Sequence, residues 1–186
     1  MTENQTVPAA GGTGTNVIWA LLRLAMGWTF FWAFLDKLFG LGFASCVDKK
    51  TAQYLGILCD KGTWLTGGSP TMGFLKFSSK GPFAGFFQGL AGNAAVDWLF
   101  MLGLALIGLA LLLGIGVRIA GYSGALMLVL MYTAGFIPPA NNPFLDEHIL
   151  NAIICIGLVR SRSGQYWGLG GWWSGTSLVR RFPILE

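Results

Sequence analysis

DWLFMLGLALIGLALLLGIGV, residues 97–117, opens on an acid and is apolar from there to its end. About 20 such residues cross the hydrocarbon of a bilayer as a helix. In lipid a continuous apolar run has no alternative to a helix, because every backbone N–H and C=O must be satisfied within the segment. Working outward, 94–117 is the clearest span. Residues 119–137 follow after a break at Arg118 so short that the two helices must be antiparallel neighbours. Upstream, 17–39 is a further span; downstream, 143–159 is a fourth, with Asn142 placed to cap it and Pro143 suited to its first position. The expectation is an all-α, integral membrane four-helix bundle over 17–160. A polar tail, 1–16, precedes it, and an aromatic, basic tail, 161–186, follows.

Composition agrees. Of the 186 residues, 54% are hydrophobic and only 11% charged, against roughly 25% charged in soluble domains. The net charge of +4 comes from scattered Lys and Arg with no long basic run, so a nucleic-acid partner is not expected and the lipid bilayer is. Arg118, Arg160 and Arg162 flank spans at one end, and the opposite connection carries Asp146 and Glu147. The positive-inside rule then puts both termini in the cytoplasm. The N-terminal stretch lacks the basic region of a signal peptide, and the sequon at Asn4 is expected to stay unmodified. Within the long extramembrane connection 40–93, Phe83, Phe86, Phe87 and Leu90 recur at helical spacing and predict a short amphipathic helix. Tyr166, Trp167, Trp172 and Trp173 suit an interfacial aromatic belt. The pairs Ala110/Gly114 and Gly121/Ala125 predict close helix approach.

Chemistry has few candidates. Arg23, Gly27, Phe30, Phe34 and Lys37 share one face of the first helix. An arginine inside a span costs roughly 3 kcal/mol unless it faces protein, water or headgroups. Two readings follow: a cationic, aromatic face for a quinone carbonyl or an anion, or simple snorkelling to the interface. Asp146, Glu147 and His148 open the fourth helix. Acids there suit the helix dipole, and His148 could move protons near neutral pH, although a lone histidine is more often a packed one. Asp97 also admits the dipole explanation. Cys46 and Cys59 share the long connection; joined in an oxidising compartment they would contribute about 3 kcal/mol. One histidine and three cysteines without CxxC spacing argue against a bis-histidine haem, an iron–sulfur cluster or a zinc site. Gly12-Thr13-Gly14 and Gly114-Ile115-Gly116 lack the strand context of a dinucleotide fingerprint.

The segments LLRLAMGWTFFWAFLDKLFG (21–40), GFLKFSSKGPFAGFF (73–87), DWLFMLGLALIGLALLLGIGVRIAG (97–121) and LDEHI (145–149), in this order and spacing, resemble the DoxX/DoxD family of small four-helix membrane proteins. The family's namesake is the membrane subunit of archaeal thiosulfate:quinone oxidoreductase. The resemblance covers about 17–159 and leaves the aromatic tail unmatched. It implies a prokaryotic cell-membrane protein engaged in electron transfer from thiosulfate, or a similar small sulfur anion, to a membrane quinone. By motif position it nominates Arg23, Lys37, Asp146 and His148, the last two for proton handling, with the quinone bound among the helix-one aromatics Phe30 and Phe34. With quinone as substrate and no other cofactor motif, the Cys46–Cys59 pair is the only redox centre the chain offers, and a second subunit or direct transfer would complete the path. Two other classes compete: a non-enzymatic membrane partner of a redox or detoxification complex, and a small transporter. Unbroken spans and the lack of inverted halves weigh against the transporter.

Overall fold

The computed structural model describes residues 13–48, 51–59, 62–135, 142 and 144–186. Among the described residues about two thirds are helical; the rest, chiefly between Gly40 and Thr71, are turns and irregular chain with one isolated bridge between Val47 and Tyr54. In order the elements are α1 (Thr13–Phe39), a π-helical turn (Phe74–Ser78), α2 (Ala84–Gly89), α3 (Ala94–Leu113), α4 (Val117–Gly135), α5 (Glu147–Arg160), α6 (Gly170–Ser174) and α7 (Ser177–Arg181), with short 3₁₀ turns after α5 and α7.

Among the described residues three helices are long and apolar enough to cross a membrane: α1, α3 and α4, with mean hydropathies of 1.5, 2.3 and 1.3. Their outer faces are greasy. Leu99 is 75% exposed, Leu106 64% and Leu126 61%, a surface that water would penalise and lipid would not. This architecture suits a multi-pass membrane protein.

The fourth expected span does not form as read. Helix α5 has 14 residues, about 21 Å of rise against a hydrocarbon core of about 30 Å. Its start is set by Asp146, whose extended backbone and side chain, accepting from the Ile149 N–H at 3.1 Å, make it the N-cap. A carboxylate competes well for that role and favours the positive end of the helix. Asn142 instead accepts the N–H groups of Phe144 (2.9 Å) and Leu145 (3.1 Å) in a preceding turn. Pro143 lies outside the described residues, as do Asn4, Pro138 and Pro139, and Lys49, Lys50 and Lys61 of the long connection.

Other boundaries moved for local reasons. Helix α1 begins within the stretch expected to be a polar tail. Helix α3 stops at Leu113 because Gly114 turns left-handed (φ 74°), and the N–H groups of Gly114 and Ile115 both return to the Ala110 carbonyl. This is the usual glycine stop for a helix. Gly114 therefore ends a helix rather than opening a helix–helix seam. Helix α4 then takes Val117 and Arg118 into its first turn.

Packing proceeds through glycines. A methyl group at Gly108 would lie 2.6 Å from the Phe31 N, and one at Gly27 would lie 2.8 Å from the Leu112 N, so α1 and α3 touch backbone to backbone and run antiparallel. Gly121 of α4 faces Cys155 and Val159 of α5, and Gly124 admits the Phe30 ring. Met26, Phe30, Leu104, Ile107, Leu111, Leu128 and Leu158 fill the shared core. Neighbours alternate in direction. One end therefore holds the start of α1, the α3–α4 turn and the C-terminal tail; the other holds the described part of the connection between α1 and α3 and the start of α5.

The short amphipathic helix is present as α2, but its aromatic stripe divides. Phe87 and Leu90 face the bundle, whereas Phe83 and Phe86 are 56% and 67% exposed.

Replacing Gly108 with Val should lower the thermal midpoint in detergent markedly, since its new atoms meet the α1 backbone rather than a side chain that can turn away. Overpacking of this kind costs about 1–3 kcal/mol. An unchanged melting curve by circular dichroism would contradict the α1–α3 contact.

Candidate functional site

Arg23 is fully buried. Its Nε donates to the Ser163 carbonyl (3.2 Å), Nη1 to the carbonyls of Leu111 and Leu112 (the latter at 3.0 Å), and Nη2 to those of Tyr166 (3.1 Å) and Trp167 (2.9 Å). A guanidinium has five N–H groups, and here each meets a carbonyl. Two of the acceptors are end-of-helix carbonyls of α3, which lack intrahelical partners and carry the negative end of its dipole. The other three belong to the chain after α5. Glycines permit the approach: a methyl group at Gly168 would sit 2.8 Å from the Gly164 O and 3.0 Å from Arg23 Nη2. Arg23 thus fits neither sequence reading. It does not snorkel, and it keeps no N–H for a quinone or an anion.

At the opposite end Asp36, 1% exposed, accepts the backbone N–H groups of Phe43 (3.1 Å), Ala44 (2.9 Å) and Ser45 (3.0 Å). It fastens the start of the long connection beneath the Cys46–Cys59 disulfide, whose Cα atoms are 5.7 Å apart. Asp97, in the first turn of α3, does the same for a later stretch. Its Oδ1 accepts from Ser69 Oγ (3.0 Å), Thr71 N (3.0 Å) and Thr71 Oγ1 (2.7 Å).

Lys37 is different. Its ammonium lies 5.9 Å from the centroid of the Phe100 ring, a cation–π distance, and it forms no ion pair among the described residues. It stands about 21 Å along α1 from Arg23, so the two cations cannot share one ligand. Phe30 is a core residue, 4% exposed. Phe34 stacks on Phe31 at 6.0 Å and packs against the core. The structure therefore does not bring Arg23, Phe30, Phe34 and Lys37 into one pocket.

His148 Nδ1 lies 2.7 Å from Asp146 Oδ2. Partial burial alone would raise the Asp146 carboxyl. The hydrogen bonds from His148 and the Ile149 N–H, with the nearby imidazole, outweigh it and hold the group below its ordinary value.

The cavity that sequence reasoning missed lies between α3 and α4. It is an open groove of about 900 Å³, lined in part by the same exposed Leu99, Leu106 and Leu126, and it runs from the π-helical turn and α2 down to Gly116. Its walls are almost wholly apolar, including Leu99, Phe100, Leu106, Met127 and Leu130; among the described residues Thr71 and Ser123 supply the only hydroxyls. Phe74 and Phe87 line it at the end where Thr71 lies. None of the residues nominated from the sequence lines it, but Phe100 does, with Lys37 on its ring. Helix α3 is apolar all round, so no periodicity marked which side would face a cavity; Gly103 and Ser123 are the faint signals.

Fold and site together define a small helical protein with three membrane-length helices among the described residues and a largely apolar groove along α3 and α4. No family model, curated protein or solved structure matches the chain.

An ionised Asp146 stabilises the start of α5. Because its folded pKa is depressed, that contribution is complete above the ordinary carboxylate range, about pH 4, and is lost as pH falls through the lower, folded value. Hydrogen exchange at the Ile149 amide should accelerate, relative to other α5 amides, on acidification below that range. In Asp146→Asn this acid-dependent loss should vanish; the same acid response in both proteins would contradict the assignment.

Proposed function

We propose that this chain is a multi-pass membrane subunit that binds a quinone through its isoprenoid tail in the α3–α4 groove and serves quinone-linked oxidation of thiosulfate or a similar small sulfur anion. The observation that carries the reading is the groove: long, almost free of polar groups, and ending near Thr71 and the Phe100–Lys37 pair. A prenyl tail needs such an apolar channel, and a quinone head needs a few polar groups at its mouth. Two thiosulfates joining as tetrathionate release two electrons, and a quinone takes up two electrons and two protons to become a quinol. Lys37 supplies positive charge at the groove's mouth, and the Asp146–His148 pair is the acid–base couple at that end of the bundle. The disulfide is the two-electron centre the chain itself carries.

Two independent features support an orientation with both termini in the cytoplasm. Arg118, Arg160 and Arg162 gather at the end opposite the disulfide. The positive-inside rule assigns that end to the cytoplasm, and a disulfide belongs to an oxidising outside. The resemblance to DoxX/DoxD proteins supports a prokaryotic cell membrane.

One observation favours a second reading, a non-enzymatic membrane partner of a redox or detoxification complex. Arg23, Asp36 and Asp97 are all engaged by backbone or loop groups, and Thr71 and Ser123 alone bring hydroxyls to the groove.

Purified protein supplied with thiosulfate and a short-chain quinone should form tetrathionate and quinol together. Ser123→Trp, which fills the groove, should reduce turnover about tenfold or more, and Lys37→Ala should weaken it while leaving the fold intact. No turnover, together with one stably co-purifying protein, would replace this reading with the partner role.

A further inference from the structure

The end of the bundle opposite the disulfide holds a second cavity, of about 300 Å³, between the α3–α4 turn, the end of α5 and the C-terminal tail. Arg118, Arg160 and Arg162 line it, and all three are exposed. Arg118 donates from Nη1 to the Pro183 carbonyl at 3.4 Å. Among the described residues, Arg160 and Arg162 form neither an ion pair nor a side-chain hydrogen bond. The acid at the rim is Glu186; its Oε1 accepts from Gln165 Nε2 (3.1 Å) and its carbonyl from the Arg118 N–H (2.9 Å). Three guanidiniums outnumber the negative charges that Glu186 can bring and leave an excess of positive charge. Arg23 adds to it from beneath, since Gly114 lines the cavity and a methyl group there would lie 3.2 Å from Arg23 Nη1. The negative end of α3, which would otherwise oppose an anion, is already met by Arg23.

We infer that this cavity is a binding site for the phosphate of an anionic membrane lipid. Guanidinium forks match phosphate oxygens two at a time. Val117 and Val159 give the site apolar walls, and the Tyr122 phenol stands at its edge. Trp167 and Trp172, 63% and 67% exposed on the tail beside it, mark headgroup depth. A cationic hollow between helix ends at that depth holds an anionic headgroup while the acyl chains lie along the greasy helix faces. The inference rests on membrane embedding and is independent of the quinone reading.

Native mass spectrometry of the full chain, delipidated in a neutral detergent, provides the test. Phosphatidylglycerol should be retained about tenfold over phosphatidylcholine. Arg160→Gln/Arg162→Gln should abolish the preference, as should Tyr122→Trp, which fills the hollow without changing its charge. Arg180→Gln/Arg181→Gln, outside the cavity, should keep it. Equal retention of the two lipids would overturn the site. So would an equal loss in the Arg180/Arg181 variant, which would indicate diffuse surface charge. Displacement of the lipid by millimolar inorganic phosphate would show a site for a free anion instead.

Discussion

A charge inside an apolar bundle must be met by dipoles, and in this protein the dipoles are mostly backbone. Arg23 engages carbonyls of α3 and of the chain after α5. Asp36 and Asp97 engage N–H groups of the long connection. Each ion lies on a membrane-length helix, and each draws irregular chain against the bundle. Leaving any of them unmet would cost several kcal/mol. Irregular backbone at the rim of a membrane protein has the complementary need, since its own polar groups lack partners. Each deficit satisfies the other. The loops are held by ions that the membrane would otherwise reject, and the two ends of the molecule are built on the same device with opposite signs.

With the ions so engaged, the space for ligands lies elsewhere. Close contacts at Gly27, Gly108 and Gly121 draw α1 to α3 and α4 to α5, while α3 and α4 meet through Ile107 at Gly124 and Met127 at Gly103, with their outer sides left uncovered. The apolar groove is the consequence. Its near-absence of polar groups suits a hydrocarbon chain, while Lys37 at its mouth remains the one α1 ion not tied to backbone by its side chain. At the other end the arginines left over from the clamp face outward and collect around a hollow between helix ends.

Much of the architecture was legible from the sequence. Apolar runs longer than a bilayer is thick identified α1, α3 and α4, because burial in lipid leaves a signal at every position. Helix α5 was misread because Pro143 and Asn142 offered a plausible start, while Asp146 made a better one four residues on. Periodicity correctly put Arg23, Phe30, Phe34 and Lys37 on one face of α1. It could not say that the partners of that face would be carbonyls and core side chains. A carbonyl is common to every residue and leaves no mark in side-chain identity. The groove was hidden for a related reason: helix α3, apolar on all sides, gives no hint of which side meets lipid, protein or a cavity.

The central claim is that Arg23 holds the C-terminal tail to the bundle through carbonyls. Limited proteolysis of Arg23→Met in detergent, followed by intact-mass analysis, tests it most directly. Methionine keeps much of the volume and removes all five donors. The account predicts that cleavage within 161–186 accelerates about tenfold or more while the membrane-length helices remain protected. Cleavage at the unaltered protein's rate would contradict it.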